Sequence, residues 1–326
     1  MEDIKRAVYR ASGKITDMIL LSAILSFLLA LAGQLLSELL FRITDTENHL
    51  TRVLGNRDAV AFLLLYFTFI GIWIMFFLVI SVFRDNRPMW SCLAFRRGGN
   101  SLPAALAGLF GGFAANGFCV LMSVIRGDVK LSWSGFDPVF FFAFLFVVTV
   151  QSGGEEIVDR CYLYQKLRRR YRHPAVAVLG NALVFMALHL GNDNLTVVSL
   201  LQILLIGILM SLFVYYYDCL WAAIMFHAGW NFTQNIVFGL PNSGVVSQYS
   251  LFKLDAASAR NGLFYNVGFG VEGSVGASVL LAALVIAVLV INRGKREKRD
   301  LWRDMEDKQL AAMESRKQAL NESGDR

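Results

Sequence analysis

Apolar stretches of about 20 residues, the length a membrane-crossing helix needs, recur along this chain and are separated by short polar connections. The pattern predicts eight spans, near 16–41, 59–83, 102–125, 138–159, 174–190, 196–217, 219–240 and 274–292. The fourth should run on as helix to about Arg170, past the end of its apolar run. The first stretch follows Lys5, Arg6, Arg10 and Lys14, and Ala30-Leu31-Ala32 mimics a cleavage site. It is too long for a secretory signal, whose apolar region is about 7–15 residues, so it reads as an uncleaved first span. The expected class is an all-α, polytopic membrane protein with about eight transmembrane helices.

Composition agrees. Of 326 residues, 56% are hydrophobic and only 17% charged, against roughly 25% charged in soluble proteins. Mean hydropathy is +0.52. These values exclude a disordered chain. The net charge of +6 does not point to nucleic acid, because the basic residues gather at segment ends, where they act as topology signals. Basic clusters occur at the N-terminus, at Arg84, Arg87, Arg96 and Arg97, at Lys166–Arg172, and at Arg293–Arg299. Eight spans with both termini in the cytoplasm put all four on one side. The chain then divides into a cytoplasmic N-terminus (1–15), a membrane domain (16–292) and a charged cytoplasmic tail (293–326), in an integral, multi-pass protein of the cell membrane. The four cysteines, Cys92, Cys119, Cys161 and Cys219, have neither metal nor disulfide spacing.

The longest external connection, 241–273, is rich in Gly, Ser and Asn. Its default reading is a mobile loop, with a lid over a site as the alternative. Residues 301–320 mix both charge signs with Leu301, Trp302, Met305, Leu310 and Met313, as a helix lying on membrane or protein does.

Chemistry concentrates where apolar segments carry ionisable groups, which are costly in a membrane and mark functional sites. Glu155-Glu156-Ile157-Val158-Asp159-Arg160 closes the fourth run. Glu156 and Arg160, four apart, share a helix face and can pair, which leaves Glu155, about 100° round the helix, for other work. Phe185 and His189 lie one turn apart on the fifth span, as do His227 and Asn231 on the seventh. Singly, each histidine reads as well as a hydrogen-bonded packing residue. Depth brings them together. Glu155 precedes Arg172, the centre of the turn between spans four and five, by 17 residues, and His189 follows it by 17. At 1.5 Å per residue both lie about 25 Å from that turn. His227 and Asn231 lie roughly 13 and 20 Å from the turn at Asp218. The groups can meet in the cytoplasmic half of the membrane.

Glu-Glu-x-x-x-Arg, Phe-x-x-x-His and His-x-x-x-Asn, in order on successive membrane helices, resemble the CPBP family of intramembrane proteases, which includes type II CAAX prenyl endopeptidases and bacteriocin-processing relatives. The resemblance covers about 140–238, within a protease-like core of about 138–240. It implies an endopeptidase acting on peptide or membrane-protein substrates near the cytoplasmic face. It also implies roles. Glu155 and His189 would activate a water, His227 and Asn231 would form the oxyanion hole, and Glu156, Arg160 and Phe185 would support them. No cofactor is required on this reading; Zn²⁺ held by Glu155, His189 and His227 is the alternative. Two positions depart from the family pattern, Asp159 before the arginine and Cys161 after it. They keep open a catalytically silent scaffold or partner-binding protein of the same fold. A transporter fits less well, since no internal repeat is visible. The expected surroundings are lipid and a peptide substrate, with no nucleic acid; sequence leaves the oligomeric state open.

Overall fold

The computed structural model describes residues 8–324. Lys5 and Arg6 of the N-terminal basic cluster, and the last two residues of the tail, lie outside them. Every apolar stretch is helical, and the described chain is an all-α bundle with one two-stranded ribbon. Its helices are α1 (Ile19–Ile43), α2 (Thr46–Leu54), α3 (Arg57–Phe67), α4 (Ile70–Val82), α5 (Leu102–Ile125), α6 (Pro138–Glu156), α7 (Tyr164–Arg170), α8 (Pro174–Leu188), α9 (Val197–Tyr217), α10 (Leu220–Phe232), α11 (Val275–Ile291) and α12 (Arg303–Gly324).

Among the described residues, five helical stretches are long and apolar enough to cross a membrane by length and composition. They are Ile19–Ile43, Arg57–Val82, Leu102–Ile125, Pro138–Arg170 and Val197–Tyr217. Pro174–Leu188 and Val275–Ile291 are apolar but shorter. The second expected span is broken into α3 and α4 at Thr68 and Phe69. The fourth does continue to Arg170, through a π-helical segment at Ile157–Leu163. Such wide turns recur at functional sites, and this one carries Asp159 and Arg160.

Local chemistry sets the helix starts. Asp137 caps α6 by accepting hydrogen bonds from the Val139 and Phe140 amides, with Pro138 in the first turn. His173 and Pro174 open α8 in the same way, and Thr196 and Ser199 form a reciprocal cap on α9. Proline costs nothing there because its missing N–H would have no intrahelical partner.

The helix that carries His227 and Asn231 is held by close packing. On α5, Gly108 and Gly112 face α10. A Cβ on Gly112 would lie 2.0 Å from the Phe226 carbonyl oxygen, and one on Gly229 would lie 2.2 Å from that of Leu109. Small residues at this spacing let two backbones touch, the main source of association where lipid offers no hydrophobic drive. Gly112→Ala must therefore push α5 and α10 apart. The expected cost is that of overpacking, about 1–3 kcal/mol, read as a lower melting temperature in detergent.

At the basic ends the chain is tied into a polar hub. Asp17, fully buried, accepts from Arg169 Nε and Nη2 at 2.6 Å each and pairs with Lys166 at 3.1 Å. Burial raises its carboxyl pKa, but the Arg169 hydrogen bonds and charge outweigh this and leave it below the ordinary value. The segment after α11 docks on this hub. Glu297 pairs with Arg168 and Asp300 and Glu306 with Arg10, and buried Trp302 lies under the Arg169 guanidinium at 4.8 Å. The start of the expected surface helix at 301–320 is thus seated on protein. All four cysteines are free and buried.

The 241–273 connection is not an unstructured loop. Its strand β2 (Phe252–Leu254) pairs antiparallel with β1 (Leu131–Trp133) of the connection before α6. The two connections that the basic-residue rule assigns to one face are therefore joined.

Candidate active site

The site is assembled on α6, α8 and α10. Glu155 lies in the last turn of α6, and its side chain is partly open, at 21%. Gln151, one turn back, donates Nε2 to Glu155 Oε1 at 2.6 Å. Asn231 donates to Gln151 Oε1 at 3.3 Å. Glu156, fully buried, points the other way. Its Oε1 lies 2.9 Å from His227 Nδ1 and accepts from Arg160 at 3.2 Å. His227 Nε2 lies 3.8 Å from Glu155 Oε2. A continuous polar chain results, Asn231–Gln151–Glu155–His227–Glu156–Arg160.

Arg160 is buried and has contacts beyond its carboxylate, although its Nε finds no hydrogen-bond acceptor. It donates to the Gly207 carbonyl at 3.3 Å and stacks on Phe185 at 4.4 Å, while Asp159 lies 3.8 Å away. Phe185 is thus the floor that holds the guanidinium in place. Its ring also meets His189, with centroids 4.6 Å apart. His189 Nδ1 lies 2.8 Å from the Phe185 carbonyl. That oxygen can only accept, so Nδ1 carries a proton, and in the neutral ring Nε2 is the acceptor.

A cavity of about 500 Å³ opens onto these groups. Glu155, Phe185, His189, His227 and Asn231 all line it; Glu156 and Arg160 lie behind the wall and do not. The expected gathering of the motif residues around one polar space is what the structure displays, with two differences of detail. The imidazole beside Glu155 is that of His227; His189 does not come within ion-pair distance of either glutamate. His189 also lies at the C-cap of α8, just beyond the helix. It therefore sits at the end of α8 remote from the basic turn at 168–174. There the cavity also receives Asn242, Ser243 and Glu272 from the 241–273 connection.

Sequence reading missed several cavity residues. Gln151 carried a signal, since it sits four before Glu155 on the same helix face. Gln202, Asn242 and Glu272 did not stand out, because nothing in their local sequence shows that their segments return to the site. Asp159, read as a departure from the family pattern, does face the cavity. Among the described residues, no group of three His, Cys, Asp or Glu side chains is arranged to hold a metal ion. Glu155, His189 and His227 are accordingly not arranged as a ligand group.

The geometry suits hydrolysis. A part-exposed carboxylate faces water-accessible space, an imidazole is held by a buried carboxylate, and amide and imidazole N–H groups lie beside both. Comparison with known proteins bears on the same segment. Residues 137–233 match the family model described as type II CAAX prenyl endopeptidase, Rce1-like. This supports the resemblance to CPBP proteases drawn from the motifs, and the match contains all of them. No curated protein and no solved structure matches the chain.

Proposed function

We propose that the segment matched to the prenyl endopeptidase family makes this chain an intramembrane endopeptidase, with Glu155 as general base. The single observation that carries this reading is the pair of groups 3.8 Å apart at the cavity wall, Glu155 Oε2 and His227 Nε2. His227 is oriented from behind by Glu156, as a buried carboxylate orients an imidazole in other hydrolytic sites.

Glu155 takes a proton from a water held with the help of His189 Nε2, and the water oxygen attacks the substrate carbonyl carbon. The negative charge that develops on the carbonyl oxygen is met by His227 Nε2–H and the Asn231 amide. With Nδ1–H given to Glu156, the imidazolium between two carboxylates offers its second N–H to the cavity. Donors fixed in a water-poor site are worth more than the same groups in water. When the C–N bond breaks, Glu155 returns its proton to the leaving amine, and the base is regenerated.

Substrate entry follows from the rim. Phe27, Leu31, Leu65 and Leu188 line the cavity and are exposed, so in a bilayer that side faces hydrocarbon. An extended segment of a membrane-associated peptide enters from there. The basic clusters orient the protein with both termini cytoplasmic. Reporter fusions after Arg97 and Arg172 are expected to read cytoplasmic and one after Lys253 external; an external reading at Arg172 would reverse the assignment.

The activity is tested with purified protein in lipid vesicles, an apolar peptide mixture and water labelled with oxygen-18. Hydrolysis by an activated water places one label in each new carboxyl terminus, read by mass spectrometry. Intact peptides throughout, from protein with a normal melting curve, would favour the silent-scaffold reading.

A further inference from the structure

The cavity wall holds three carboxylates, Glu155, Asp159 and Glu272, and neither lysine nor arginine, in a chain whose net charge is +6. Glu155 has His227 beside it and Asp159 has Arg160 at 3.8 Å. Glu272 has no partner within ion-pair distance among the described residues, and the His189 and His227 imidazoles act on it only from farther off. It is 7% exposed, and its two hydrogen bonds, from the Ser243 amide (2.9 Å) and hydroxyl (3.0 Å), both fall on Oε2. No lysine or arginine pairs with it among the described residues. Burial pushes its carboxyl pKa up, and the Ser243 hydrogen bonds and the imidazoles of His189 and His227 hold the rise back.

A second observation points to a ligand. Asn242, next to Ser243 in the chain and 6% exposed, lines the same cavity, yet its Nδ2 has no acceptor. Buried polar groups are nearly always paired, so an unpaired amide donor in a cavity wall calls for an incoming acceptor. Together the two residues complement one residue of a peptide: Asn242 donates to a backbone carbonyl, and Glu272 receives a cation. Both lie outside the family match at 137–233. The connection that carries them is fixed in place: Gly270, at φ +75, packs so closely on Pro241 that a Cβ would lie 2.0 Å from its carbonyl oxygen.

We infer that Asn242 and Glu272 form a specificity subsite selecting a peptide substrate with a lysine or arginine side chain near the scissile bond. The inference deepens the endopeptidase reading and rests on it for the word substrate. A charge-assisted hydrogen bond is roughly twice as strong as a neutral one. A basic residue entering this subsite therefore gains over an uncharged one of similar length, and an acidic residue is repelled by Glu272, the carboxylate that no cation pairs with. The other role open to Glu272 is as a staple for the connection through Ser243. Glu272→Gln separates the two, since an amide oxygen still accepts from Ser243 while the charge is gone.

The test uses the full chain carrying Glu155→Gln, in discs of neutral phosphatidylcholine so that anionic lipid does not capture cationic peptides. The probe is a pool of short, apolar, N-acetylated and C-amidated peptides with Lys, Arg, Gln, Leu or Glu at one position. Bound peptides are quantified by mass spectrometry. Lys and Arg members are expected to be enriched about tenfold over Gln and Leu, the size of one charge-assisted hydrogen bond, with Glu members depleted. Adding Glu272→Gln removes the enrichment and leaves the neutral peptides bound. Equal retention of Lys and Leu members by the Glu155→Gln protein overturns the subsite, as does enrichment that survives Glu272→Gln. Wild-type cleavage of the same pool keeps the two readings apart. Equal cutting of Lys and Leu peptides sinks the subsite and leaves the hydrolase standing. Enriched binding with every peptide uncut preserves the subsite and sinks the hydrolase.

Discussion

Glu155→Gln is expected to lower peptide hydrolysis by about 10²–10⁴-fold, the contribution of a positioned general base, with little change in melting temperature. The two halves of this expectation come from the same geometry. Glutamine has nearly the shape of glutamate, and its oxygen can still accept from Gln151 where Glu155 Oε1 does so at 2.6 Å. The Glu155 side chain is 21% exposed, so removing its charge leaves no fully buried cation unpaired; His227 keeps its contact with Glu156 at 2.9 Å. What glutamine lacks is basicity, because an amide oxygen accepts hydrogen bonds but does not take up a proton near neutral pH. Turnover is measured by product mass spectrometry beside a thermal melt on the same preparation. Wild-type turnover by a folded Glu155→Gln protein would end the assignment of this residue as base.

Arg160→Ala is expected to cost stability on the order of 3–5 kcal/mol, the usual result of leaving a buried charge without its partner. Arg160 and Glu156 have fully buried side chains 3.2 Å apart, with Asp159 at 3.8 Å. Alanine would leave Asp159 without its ion pair and Glu156 with His227 alone, remove one donor from the Gly207 carbonyl, which keeps the Ser211 hydroxyl, and open a void above Phe185. Activity should fall further than stability alone explains, because Glu156 is then free to turn from His227. Arg160→Lys keeps a charge but loses the planar fork and the stacking on Phe185, so it should recover only part of the loss. Denaturant titration in mixed micelles gives the stability difference. A cost for Arg160→Ala below about 1 kcal/mol, the range of a solvent-exposed pair, would show that this pair does not hold the helix.

Relations within one helix were legible. Residues four apart share a face whatever the fold, so Glu156 with Arg160, and His227 with Asn231, were readable as pairs on a surface. The depth argument succeeded in bringing Glu155, His189, His227 and Asn231 to one cavity, because a straight helix converts residue number into distance, but not in placing them in the cytoplasmic half, since Asn242, Ser243 and Glu272 of the connection assigned to the external side line the same cavity. It failed where the chain departs from that ruler. The π-helical turn at Ile157–Leu163 shifts the faces of Asp159 and Arg160, and α8 stops at Leu188, so His189 stands at a helix end.

By itself the sequence determined the membrane class, the order of the helices and the inventory of chemical groups, since those depend on composition and on periods of a few residues. Only the tertiary structure decided which imidazole stands beside Glu155, that Glu156 serves His227 as well as Arg160, and that the tail after α11 is seated on the Asp17 hub. It alone brought Asn242 and Glu272 back to the cavity, through a connection whose composition reads as loop. These contacts join residues tens to hundreds of positions apart. A helical period fixes the face on which a side chain projects, but close packing such as that of Gly112 on Phe226 fixes what that face meets.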